Sequence, residues 1–189
     1  YDPAKYAPVG NGSVDLSLVS STAPDNDYGV SSPNAFSFGL DNKIKTIDGG
    51  GAFGGGNIIA GSYSNFAIGG SNEVGGFFGN GAIGAFNKII QGYTSWAIGA
   101  YNRVENSTNG FGLTAGMNNK IYGINTFAFG TALYSNSRST FVTGLANTEY
   151  TELDNDSTRP LFIVGNGTTS TPSGAWEAIS RSDAFRVRY

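Results

Sequence analysis

The chain has no cysteine and no histidine. Disulfides are thereby excluded, along with the thiolate and imidazole ligands that zinc and copper sites favour. A nucleophile with its base would have to be Ser or Thr with Lys, and no such pairing stands out along the chain. Charge is also scarce, since Asp, Glu, Lys and Arg make up 13% of the 189 residues and the net charge is −3. A phosphate-binding surface needs clustered Lys and Arg, so nucleic acid is not an expected partner. No run of about 18 apolar residues occurs, and no membrane insertion is expected. The only methionine is Met117 and the sequence opens on Tyr1, which predicts a piece of a longer protein.

What is abundant is glycine, 29 residues, beside a 13% aromatic content. Disordered segments are poor in aromatics, so this glycine belongs to an ordered architecture. Its placement says which one. A small residue, an apolar one and then glycine recur as Ala52-Phe53-Gly54, Ala67-Ile68-Gly69, Ala82-Ile83-Gly84, Ala97-Ile98-Gly99 and Ala128-Phe129-Gly130. Looser copies end at Gly39, Gly116 and Gly144, and the step is 15 residues from Gly39 to Gly99, then 17, 14 and 14. Three places after most of these glycines stands an asparagine, with a β-branched residue two further on, as in Asn57 with Ile59 and Asn72 with Val74.

Each repeat thus holds two short runs of period 2 separated by tight turns, the pattern of half-buried strands. A fixed short period means one coil per repeat stacked on its neighbours. The expected fold is all-β: a thin parallel β-solenoid with coils of about 15 residues. At ~4.8 Å per rung, eight coils would make a stack of roughly 40 Å. Three parts follow: residues 1–34 as an N-terminal capping or connecting segment, 35–148 as the repeats, and 149–189 as a strand-rich C-terminal cap. Val14-Asp15-Leu16-Ser17-Leu18-Val19 is the strand-like run of the first part, and Leu161 to Val164 and Ala184 to Val187 are those of the last.

Strand parity sorts the side chains. One and three places before the glycine lie Phe36 and Phe38, Phe53, Phe66 and Ile68, Ile83, Trp96 and Ile98, and Phe127 and Phe129. The opposite face carries the alanines. A flattened coil has room inside for Ala, Gly and one larger column from the second strand, and the Asn and Ile/Val columns suit that role, the asparagines forming amide ladders. The bulky column is then left outside as a continuous apolar patch, the mark of an interface. These ten residues are therefore read as a self-association face; the competing reading is that they fill gaps in one chain's core. The column Phe36, Gly51, Phe66, Gly81, Trp96 alternates large with small, as interdigitation about a crowded axis would require.

Candidate binding residues are fewer. Tyr63, Phe78 and Tyr93 stand six places before the glycine, at a coil corner, where stacked aromatics suit sugar rings or protein; packing on a neighbouring chain is the alternative. Lys88 and Arg103 belong to a mostly basic outward stripe with Lys43 and Lys120, which could meet an anionic glycan but also serves solubility. Trp176, in a polar loop, is a candidate exposed anchor, or a ring folded onto the cap. Gly49-x-Gly51-x-x-Gly54 matches a dinucleotide fingerprint only on paper, since no helix follows. Asp154-x-Asp156 lacks the glycine and distal glutamate of a calcium loop, and Asn106-Ser107-Thr108 is a sequon expected by chance in an asparagine-rich chain. No catalytic residue, metal or cofactor is assigned, and no enzymatic activity is expected.

The Ala-Ile-Gly-x-x-Asn coils resemble the head repeats of trimeric autotransporter adhesins, a resemblance covering nearly the whole chain. It implies a left-handed β-roll with three chains about one axis. Similar repeats occur in bacteriophage tail fibres. Asn11 to Ser17, Leu161 to Thr168 and Arg181 to Val187 resemble the segments that bracket them there, the last commonly preceding a self-cleaving chaperone. The period, mostly longer than in the adhesin heads, and the segment Thr171 to Ile179 depart from the pattern. The resemblance implies a homotrimeric rod in the virion, in contact with other tail or fibre proteins and with a host-surface glycan or protein. The alternatives are an adhesin head on a bacterial outer surface and, from the enzyme class, a polysaccharide-degrading tailspike.

Overall fold

The computed structural model describes residues 4, 6–20, 27–105, 110–150, 159–170 and 177–188. Trp176, Asp154, Asp156 and the Asn106 sequon lie outside them, as does most of the Thr171 to Ile179 segment. Among the described residues there is no helix. The chain winds between two facing sheets. The first has eleven strands, Val14–Leu18, Phe36–Leu40, Gly51–Gly55, Phe66–Gly70, Gly81–Ala85, Trp96–Ala100, Gly112–Met117, Thr126–Thr131, Phe141–Leu145, Pro160–Asn166 and Asp183–Arg188, in that spatial order. The second has eight, from Gly29–Val30 through Lys43–Asp48, Ile58–Tyr63, Glu73–Val74, Lys88–Gln91, Arg103–Glu105 and Lys120–Ile121 to Tyr134–Ser135. Neighbours pair in parallel, each coil adding one strand to each sheet, except that Asp183–Arg188 runs antiparallel. The expected β-solenoid is the architecture found.

The repeat glycines are in register from Gly39 to Gly144. The register outruns the sequence repeat at both ends. Ser17 pairs with Gly39 and Gly144 with Gly165, so Val14–Leu18 and Pro160–Asn166 are further rungs of the first sheet. The residues around the Thr171 to Ile179 segment form a hairpin of Thr168–Ser170 with Glu177–Ser180.

The interior is small against large. Ala52, Ala67, Ala82, Ala97 and Ala128 of the first sheet are fully buried, as are Ile44, Ile59, Val74, Ile89, Val104 and Ile121 of the second. A wider coil would leave voids behind alanine, and a narrower one could not admit isoleucine. The core falls into two clusters, one ending at Val104 and one starting at Ile121. The break coincides with the 17-residue step, where Thr114 stands in the alanine column and is fully buried.

Asparagine stitches the rungs together. In Asn42, Asn57, Asn72 and Asn87 the side-chain oxygen accepts from the backbone N–H of the asparagine one rung on at 3.1 Å and from its Nδ2 at 3.0 Å. Each Nδ2 also donates to the glycine carbonyl of the following rung, for example Asn87 to Gly99 at 2.8 Å. A second buried ladder, Asn65 to Asn80 to Ser95, lines the opposite corner. Besides the repeat glycine, most coils turn through two residues with φ near +55°. One follows the repeat glycine by two, including Asp41, Ser71, Phe86 and Tyr101; the other precedes it by five, including Ser64 and Thr94.

The ends are closed by the flanking segments. At the N-terminal end, Ala7 and Gly10 donate to Tyr28 and Val30, covering the edge of the second sheet. The last edge of that sheet is held by Asn147, whose side chain accepts from the Tyr134 N–H at 2.8 Å and donates to its carbonyl at 2.9 Å.

Candidate interaction surface

All ten residues of the proposed self-association face lie on the outer side of the first sheet. Ala97 is fully buried while its neighbour Ile98 keeps 39% of its surface exposed, and Phe53 keeps 40%. Phe38 and Ile68 are exposed likewise; Phe36, Phe66, Ile83, Trp96, Phe127 and Phe129 are half-buried. They are not gap-fillers of the solenoid core, because the alanine and Ile/Val columns already fill it.

The large–small alternation has a cause within one chain. A Cβ on Gly51 would stand 2.3 Å from Cζ of Phe36, and one on Gly81 2.4 Å from Cζ3 of Trp96. The rings lie flat over the glycines of adjacent rungs in their own chain, so the alternation is satisfied without a second chain. Its product is a smooth apolar plate, extended by stacking of Phe38 on Phe53 at 5.1 Å and by Phe129, Phe141 and Phe162 at 5.5 to 5.6 Å.

Two corners flank this plate. The leading corner, just before each strand of the first sheet, carries Tyr63, Phe78 and Tyr93 on successive rungs. Tyr63 and Phe78 stack at 5.2 Å with planes 6° apart, and Phe78 and Tyr93 are 5.6 Å apart at 32°. Phe77, exposed beside them, stacks on Tyr93 at 5.0 Å. Each of these rings gives at least one face to a neighbouring ring, which reduces the area on which a sugar could stack. The trailing corner, just after the repeat glycine, holds Phe86 and Tyr101, stacked at 4.9 Å and 9°. That pair was not legible in the sequence, because the position is otherwise filled by Asp41, Gly56, Ser71 and Asn118, and no residue type marks it.

Two members of the basic stripe are paired with carboxylates. Lys88 pairs with Glu73 of the preceding rung at 2.5 Å, and Arg103 with Glu105 at 2.6 Å. The hydrogen bonds that Arg103 donates to the Glu105 carboxylate hold its guanidinium above its ordinary value. Lys43 sits 4.3 Å over the Tyr28 ring. At Lys88 and Arg103 an anionic partner would have to displace carboxylates already in place.

At the C-terminal end a polar clasp ties the antiparallel strand to the last coils. Arg181 donates to the carbonyls of Ala132 at 2.8 Å and Asn147 at 3.2 Å, and pairs with Glu149 at 2.8 Å. Asp183 accepts from the Thr148 N–H at 2.9 Å and from the Tyr150 hydroxyl. Burial, then the hydrogen bond to Asp183, raises the Tyr150 phenol above its ordinary value, and burial does the same for Tyr134. No group of three or more acidic residues gathers to hold a metal ion among the described residues. No family model, curated protein or solved structure matches the chain.

Proposed function

We propose that this chain is a non-catalytic structural and receptor-binding section of a phage tail fibre, a rigid homotrimeric rod that attaches the virion to the host surface. The observation that carries the reading is the apolar plate of the first sheet. It repeats on rung after rung and is excluded from the solenoid core, and a continuous apolar face of that kind marks an interaction surface. Fully burying an exposed Phe or Ile is worth about 1.5–3 kcal/mol. At roughly 40% residual exposure each contributes at most about 1 kcal/mol. Association costs about 4–15 kcal/mol. Only the column acting together offsets that, which suits an extended interface between rods. The number three and the virion setting rest on the resemblance of the coils and flanks to phage fibre repeats.

The test is the mass of the purified chain by sedimentation equilibrium, expected at three chains. A well-folded monomer at micromolar concentration would sink the proposal. The downstream coding sequence separates the two homes: a self-cleaving chaperone supports the fibre, and a membrane-anchor barrel supports an adhesin head.

A further inference from the structure

Both corners carry aromatics on the same rungs, Phe78 and Phe86 exposed and Tyr93 and Tyr101 half-buried. On the rung of Gly84 the leading corner has Phe78 and the trailing corner Phe86; on the rung of Gly99 they have Tyr93 and Tyr101. On the rung of Gly69 the leading corner still has Tyr63 while the trailing corner has Ser71; the rung of Gly54 has Asp48 and Gly56, and that of Gly116 has Gly110 and Asn118. Each pair also stacks along its own corner, so two short aromatic ridges border the apolar plate at mid-height.

We propose that these ridges meet between copies of the chain: Phe78 and Tyr93 of one copy pack against Phe86 and Tyr101 of the next, forming an aromatic seam around the middle of the rod. The proposal rests on the self-association read from the plate, and it specifies how neighbours touch. Rotation about an axis parallel to the rod leaves every rung at its height and brings the leading corner of one copy to the trailing corner of the next. The matched heights are what that operation needs. An antiparallel pair would set like corners together with heights reversed. Centred between the two rungs it would bring Phe78 to Tyr93 and Phe86 to Tyr101, whereas the parallel, unstaggered copy brings Phe78 to Phe86 and Tyr93 to Tyr101 and leaves Tyr63 opposite Ser71. The seam calls for that parallel second copy, and cross-links between like corners would mark the antiparallel one.

The chain has no cysteine, so introduced thiols are the only ones present. The double variant Phe78→Cys/Phe86→Cys and the pair Tyr93→Cys/Tyr101→Cys are oxidised, or treated with a short bis-maleimide where sulfur geometry forbids a disulfide. Both are then run on a non-reducing denaturing gel. The seam predicts bands at two and three chain masses for each double variant and a single chain for Phe78→Cys or Phe86→Cys alone. Cross-linking of Phe78→Cys alone would show like corners meeting and overturn it. Absence of cross-links in both double variants, while sedimentation still gives the oligomer mass, would overturn the seam and leave self-association standing. Loss of the oligomer in the unmodified chain would instead defeat the reading on which the seam rests.

Discussion

At the scale of single residues, two kinds of side chain hold a coil in place. Asn87 is buried and bonded to Asn72, Asn102 and the Gly99 carbonyl. Replacing it with alanine strands buried partners at about 1–3 kcal/mol each. We expect Asn87→Ala to lower the thermal midpoint by far more than the outward Glu73→Ala, whose ion pair is exposed and worth about 1 kcal/mol at most. Glycine is equally strict where φ is positive: at Gly99 it is +111°, and a Cβ would stand 2.0 Å from the Gly116 carbonyl oxygen. Gly99→Ala is therefore expected to prevent soluble expression. Gly81→Ala is a different case, since its obstacle is the Trp96 ring. In a Trp176→Phe background it should fold yet shift the Trp96 emission as the ring is lifted from the sheet.

At the scale of elements, the antiparallel strand Asp183–Arg188 depends on its clasp. A phenol whose value is raised in the folded state favours folding fully at low pH. That contribution is lost as pH climbs past the ordinary value of 10.0 and through the folded one. The contact of Tyr150 with Asp183 should accordingly fail only in alkali, and the loss should read as a late-titrating tyrosinate absorbance that Tyr150→Phe removes. Arg181→Ala, which frees the carbonyls of Ala132 and Asn147, should raise hydrogen exchange in residues 132–147 and leave the coils before Val104 unchanged, because the two core clusters are separate.

At the scale of the whole molecule, the outer plate and the core are independent. Ile68→Asp/Ile98→Asp places charge on the plate without touching the buried alanine or Ile/Val columns. The expected outcome is a fall from oligomer to monomer mass with the β circular-dichroism spectrum retained. A collapse of the spectrum in step with the mass would mean that the coils fold only when assembled.

The sequence by itself determined the solenoid, the in-register glycines, the buried Asn and Ile/Val columns and the outward aromatic column. Those follow from a period-2 alternation repeated at a fixed step, which leaves each strand one way to face. Tertiary structure alone decided the rest. Val14–Leu18 and Pro160–Asn166 join the sheet although the surrounding sequence breaks the period, because a sheet edge recruits any strand that fits its register. The rings of Phe36 and Trp96 lie down over glycines, which depends on what the adjacent rung lacks. The trailing corner takes a left-handed backbone at Phe86 and Tyr101, where bulky residues seldom adopt it. There the stacked coils, pinned by the asparagine that follows, impose a conformation that local preference would not choose. Residues separated by a whole coil are what make those contacts, and a linear pattern does not display them.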